Sequence, residues 1–341
     1  MVGCPSLESV TDVLVFVCNV ESDDVSVIDT ASAQVVDRIP VGSSPRDAAL
    51  TADGRYVFVT NAGSATASAI DTSTLSVAGT VPVGQRPVHV YARPGGNDIW
   101  LGNDEGGGVS VIDPVHLAER ARIPTGPGHH KIAFTATGDR AVVTNLAGST
   151  VTVIDALNHE PVRTIPVVRM PHGIAVAAAK AYACNVGACA ISVLNTDGES
   201  LGEIACAEGP NFACSSADGA LLFVAHRTGC LTIVDTSDDR VVASLPTGAS
   251  PSYVELLPDS SLAVVACSGE GRVDVFDYRA GERIGTITVD GPSGHRHLTV
   301  ADGRVFVPNA QADTVSVVEL GSWQVLGAIP VGRHPGGITH C

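Results

Sequence analysis

The stretch from Val15 to Gly54, VFVCNVESDDVSVIDTASAQVVDRIPVGSSPRDAALTADG, sets apolar and polar residues in short alternating runs, and the pattern returns from Tyr56 as YVFVTNAGSATASAIDTSTLSVAGTVPVGQRPVHVYARPGG. Alternation with a period of two, punctuated by Gly, Asp and Asn, predicts β-strands. The repeat has its own landmarks. One strand ends in Asn at Asn19, Asn61, Asn103, Asn145, Asn185 and Asn309, and ten residues later stand Asp29, Asp71, Asp113, Asp155, Asn195 and Glu319. Two further copies carry His226 and Cys267 in place of the Asn. Each unit holds three such runs, then a Val-Gly-x-x-Pro connection into a fourth run that ends near Asp-Gly, as at Asp53-Gly54, Asp218-Gly219 and Asp302-Gly303.

Four strands in a unit of about 42 residues, repeated with no helical segment, make one blade that cannot bury its faces alone. Stacked around an axis, the blades form a propeller. Strand ends and inner strands both count to eight, so the expected fold is all-β, a single domain over 1–341 with eight four-stranded antiparallel blades; seven blades is the alternative. The chain begins at a second strand, Val13 to Cys18, and ends in an inner-strand fragment, Gly336 to Cys341. The two ends should complete one blade and remove the free sheet edges.

The VTN at Val59–Asn61 and Val143–Asn145, with VSVID at Val25–Asp29 and Val109–Asp113, resembles the YVTN-type β-propeller repeat family. The resemblance covers essentially the whole chain and implies the propeller fold. It implies no single activity, since that family includes surface-layer proteins, binding proteins and occasional enzymes.

Composition narrows the partners. Lys and Arg number 20 against 36 Asp and Glu, a formal charge of -16, which disfavours nucleic acid and anionic membrane as partners. Aromatics are only 4%, so small and β-branched side chains must fill the core. The first residues show no cationic leader before an apolar stretch, which predicts a soluble, cytoplasmic protein unless a leader has been removed. Nine cysteines at irregular spacing in a chain of this size point to reduced thiols. Cys184, Cys189, Cys206, Cys214 and Cys230 gather in two consecutive blades, but Cys18 and Cys184 share the repeat position of Thr60 and Thr144 and read as small buried fillers. The carboxylates Glu21, Asp23, Asp24, Asp104 and Glu105 read as solvated turn residues. No GxSxG, HExxH or P-loop pattern is present, and Gly106–Gly108 lacks the strand-to-helix context of a phosphate loop.

Histidines carry the strongest chemical signal. Aligned on the Asp-Gly landmark, the position after the connecting Pro reads Arg46, Val88, His130, His172, Asn211, Ser252, His295 and Gly336. His89, His129, His297 and His334 fall beside it, which brings seven of the eleven histidines to one register. In a propeller this register opens on the mouth of the central channel, and His226 joins it from the turn after a second strand. Imidazoles from separate rigid strands can hold a transition metal, so His130, His172 and His295 are the expected ligands of Fe, Cu or Zn. His129, His226 and His297 are the expected proton-transfer groups, and Arg46, His89, Asn211, Tyr253 and Arg296 the expected substrate contacts. The sequence thus predicts a metal-assisted enzyme, of oxidoreductase or lyase type, acting on a small organic molecule at the channel mouth. The alternative is a non-catalytic propeller that binds a peptide, a protein or a cofactor on the same face.

Overall fold

The computed structural model describes residues 13–290 and 297–341, without the side chains of His129 and His130. His295 and Arg296 lie outside the described residues. Eight antiparallel sheets of four strands stand around one axis, and no helix occurs among the described residues. Blade 1 spans 45–82, blade 2 87–123, blade 3 129–166, blade 4 171–205, blade 5 210–246, blade 6 251–288 and blade 7 299–330. In blade 8 the last strand of the chain, Pro335–His340, lies innermost and pairs with Leu14–Asn19, with Val17 opposite Ile338. The expected closure by the two ends is present, and the seven-bladed alternative is excluded.

Burial explains the sequence pattern. The second strand Tyr56–Asn61 is buried at every residue because neighbouring blades cover both of its faces. The outermost strand Ser76–Pro82 alternates exposed and covered positions, which is where the period of two is cleanest. The few large aromatics go to one equivalent place in the second strand: Phe16, Phe58, Trp100, Tyr182, Phe223 and Phe306 are all fully buried. Burial of such a ring removes about 150–250 Å² from water, so one in each of six blades compensates for neighbours built of Ala and Val, while blades 3 and 6 carry Val142 and Val264 there.

Two recurrent devices shape the channel end of each blade. The Asn that ends the second strand clamps the start of the third: Asn61 Nδ2 donates to Thr66 Oγ1 at 3.1 Å and to Ser68 Oγ at 2.9 Å, and Asn145 does the same to Thr150 and Thr152. The Gly of the Val-Gly connection lies against that Asn. A Cβ at Gly84 would stand 2.5 Å from Asn103 Cγ, so the connection can carry no side chain there. The second device is a β-bulge straight after the Pro, which adds one residue to the inner strand, as between Pro45 and Ala48 and between Pro251 and Tyr253. The residue before the Pro takes a left-handed conformation, φ 53° at Ser44 and 52° at Arg86, and this turns the chain into the bulge.

Blade 7 has a tighter inner hairpin than blade 1. Thr299 stands opposite Phe306 as Ala49 stands opposite Phe58, which puts His297 at the place of Asp47. At Asp302-Gly303 Ala301 pairs with Arg304 across two residues, whereas in blade 1 the Thr51 amide donates to the Tyr56 carbonyl across four.

Candidate functional site at the channel waist

The bulges aim two successive rings of side chains at the axis. The residues after the Pro, among them Arg46, Val88, His172, Asn211 and Ser252, line an upper chamber of about 290 Å³. One residue further comes a narrower ring: Asp47, His89, Lys131, Gly173, Phe212, Tyr253, His297 and Gly337, one from each blade. Asp47, Lys131, Phe212 and His297 also line a lower chamber of about 470 Å³, together with Tyr91, Glu255 and His340. The second ring is therefore the waist between the two chambers.

Contacts run around the waist. His89 and His297 each direct Nδ1 at Asp47, the first at 3.3 Å from Oδ2 and the second at 3.4 Å from Oδ1. The His297 ring stacks on Tyr253 at 4.9 Å between centroids, Tyr253 meets Phe212 at 4.7 Å with the rings tilted by 45°, and Lys131 Nζ sits 4.3 Å from the centre of the Phe212 ring. Glycine occupies the ring in blades 4 and 8, which face each other across the axis. There the neighbours reach past: Lys131 to Phe212, and His297 to Asp47. Gly337 is obligatory, since a Cβ on it would stand 2.5 Å from Asp47 Cα, and one on Gly173 would stand 2.7 Å from the Asn211 carbonyl oxygen.

Burial works to raise the pKa of Asp47, but the attraction of His297 and hydrogen bonds from His297 and His89 outweigh it and hold the carboxyl well below its ordinary range. His89 is lowered to about 4, chiefly by burial, and is neutral at pH 7. His172 is lowered to about 3 by burial and by the nearby Lys131. Its Nδ1–H donates to the Asn211 carbonyl at 2.8 Å, so in the neutral ring Nε2 keeps its lone pair. At the rim, burial raises Asp104 to about 6, while Arg46 is lowered by burial and by repulsion from Arg86. In a chain of net charge -16, this one chamber gathers Arg46, Arg86 and Lys131.

The expected residues separate accordingly. Arg46, His89, His172, Asn211 and His297 line the upper chamber, and Tyr253 lies in the waist with the lower one. His226 does not line either chamber; it fills the Asn position of blade 5, fully buried, and its Nδ1–H donates to the Ala207 carbonyl at 3.0 Å. The side chains of His129, His130, His295 and Arg296 lie outside what is described. Of the three expected ligands only His172 has a described side chain, and among the described residues no three His, Cys, Asp or Glu stand together as a metal requires. Cys18 and Cys184 are fully buried, as fillers should be. Asp47, Lys131 and Arg86 were missed. A signal for Asp47 and Lys131 is present: the inner-strand position they share carries charged or aromatic side chains in six of the eight units, although a Pro stands two residues before it in only six.

Comparison with known proteins adds the family and the fold. The profile of the YNCE-like β-propellers matches residues 96–340, more than two thirds of the chain. None of the curated proteins matches. Among solved structures, dihydro-heme d1 dehydrogenase NirN in complex with DHE superposes with a TM-score of 0.80 at 14% identity, over 99% of this chain and 77% of its own. AztD from Citrobacter koseri gives 0.75 at 16% over 97% and 98%, and hydrazine synthase from Kuenenia stuttgartiensis 0.60 at 18% over 80% and 92%. At these identities the likeness is one of fold.

Proposed function

The chain belongs to the YNCE-like β-propeller family, and within that fold we propose that its upper chamber binds and transforms a small organic anion. The observation that carries this reading is the concentration of Arg46, Arg86 and Lys131 around a volume of about 290 Å³ in an otherwise strongly acidic protein. Such a volume lies at the small end of the range for ligand pockets, about 300–1,000 Å³. Arg46 and Arg86 would anchor a carboxylate, Phe212 and Val88 would receive an apolar body, and Asn211 and Ser252 would orient it. His172 and His297 supply imidazole nitrogens for proton transfer.

Metal assistance remains part of the proposal through His172, with His130 and His295 as the further ligands. The alternative, a scaffold for a peptide or protein on the same face, would need no selectivity for small anions. Phenylpyruvate, a carboxylate with an apolar ring, is a suitable calorimetric probe. The acid should bind with one site per chain and its methyl ester at least about tenfold more weakly, the loss of one charge-assisted contact. Equal binding of the two, or of neither, overturns the reading. Repeating the titration after chelation and with Zn²⁺, Cu²⁺ or Fe²⁺ added shows whether a metal takes part.

A further inference from the structure

Asp47 occupies an unusual place. It lies in the bulge of blade 1, is only 6% exposed, and is wrapped by blade 8 at Gly337, by blade 2 through His89 and by blade 7 through His297. The amide of Val90 also reaches its Oδ2, at 3.4 Å. The two imidazoles it holds differ in access. His89 is closed in, its Nε2 shielded from solvent. His297 keeps 21% of its side chain exposed and lines both chambers. Its plane is fixed between Tyr253 on one side, at 4.9 Å, and His89 on the other, at 6.3 Å, with only 11° between the two imidazole planes.

We infer that His297 and Asp47 are an acid–base pair for the anion held in the upper chamber, His297 as the catalytic residue and Asp47 as its positioning residue. A carboxylate on Nδ1–H selects the tautomer whose Nε2 carries the lone pair and stabilises the imidazolium formed when that nitrogen takes a proton. Contacts of 3.3 to 3.4 Å are long for hydrogen bonds, but such contacts shorten when a ligand fills the site. The inference rests on the anion-binding reading of the chamber. It deepens that reading by naming the chemistry: proton transfer at a carbon or oxygen next to a carbonyl, with no net oxidation. With phenylpyruvate, Nε2 of His297 removes a proton from the CH₂ group, the C–H electron pair becomes the C=C bond, and the carbonyl π pair moves to oxygen. The oxygen then takes a proton from the imidazolium, giving the enol and restoring the neutral ring. Lys131, on the same ring, places a positive charge near the oxygen as its charge develops.

The test measures phenylpyruvate enolisation by ultraviolet absorbance, its binding by calorimetry, and imidazole tautomers by nitrogen-15 NMR of the wild type and of the His297→Gln and Asp47→Asn variants. The pair predicts that His297→Gln binds the probe within about threefold of wild type yet enolises it about 10²- to 10⁴-fold more slowly. In Asp47→Asn the rate should fall similarly, and the His297 resonances should lose the Nδ1–H form that the wild type shows. A probe that binds but enolises as fast in His297→Gln as in wild type overturns the pair and leaves the chamber reading intact. A probe that does not bind overturns the chamber reading, and the tautomer then decides the pair: a wild-type His297 protonated on Nε2 alone overturns it without recourse to either variant.

Discussion

Where the second strands end, most blades agree; at the inner-strand position of Asp47, they differ. The first place holds Asn19, Asn61, Asn103, Asn145, Asn185 and Asn309, every one fully or almost fully buried, and the glycines packed on them, such as Gly42 and Gly84. The second holds Asp47, His89, Lys131, Gly173, Phe212, Tyr253, His297 and Gly337. Both lie at the same end of the blades and both are structurally recurrent, yet only one repeats in sequence. A position that the fold itself requires must be met in every blade, because every blade has the same turn to satisfy. A position that merely faces the axis is free to differ, and eight different neighbours around one axis can assemble an asymmetric site from a symmetric frame. Blade 5 shows the rule from the other side: His226 replaces the Asn and is absorbed into the frame by bonding the connection at Ala207.

Damage to the frame should cost stability without regard to the ring. The largest effect is expected from deletion of 335–341, which removes the inner strand of blade 8 and opens the ring of sheets. Cooperative unfolding should be lost or its denaturant midpoint should fall steeply; an unchanged midpoint would refute closure by the two ends.

Acid should act next on the ring and on the chamber above it. His89 and His172 are lowered to about 4 and about 3, so the unfolded chain binds more protons than the native one below pH 6.5. Their contribution is complete above pH 6.5 and is lost as pH falls toward 4, on the order of 2 to 3 kcal/mol for His89. Asp104, raised to about 6, works in the opposite sense over part of that window. Denaturant midpoints measured between pH 7 and 4 should fall, and His172→Gln should flatten the slope; a flat wild-type profile would contradict the neutral burial of these rings.

Gly337→Ala forces a methyl group into the backbone of Asp47 and should cost about 1–3 kcal/mol by overpacking, with the waist displaced. A smaller loss, about 1–2 kcal/mol in chemical denaturation, is expected for Asn61→Ala, which frees two hydroxyls and leaves the chamber as it is. His116→Ala, on an exposed turn beside Asp113, should change neither stability nor binding by more than about 0.5 kcal/mol.

The frame could be read from the chain because it is written many times over: the Asn, the Val-Gly-x-x-Pro connection and the alternation of the outer strands each recur, and local rules suffice to interpret them. The ring could be read only in part. Of the ring, His89 and Tyr253 fall two residues after a Pro that marks the register, as Arg46 and His172 of the upper chamber fall directly after one, and all four are among the expected site residues. Asp47 was missed because a single Asp in a bulge has no local signature, and its meaning comes from His89 and His297, which are far away in sequence and adjacent in space. Spacing alone also hides the tight hairpin of blade 7, which strand pairing reveals by setting His297 at the place of Asp47.

The contrast between frame and ring is tested most directly by one titration, phenylpyruvate into wild type and into the Arg46→Gln/Arg86→Gln variant, with thermal unfolding recorded on the same samples. The account predicts melting midpoints that agree within a few degrees and an affinity that falls about 100-fold or more in the variant, two charge-assisted contacts at about tenfold each. An affinity unchanged in the double variant would contradict it.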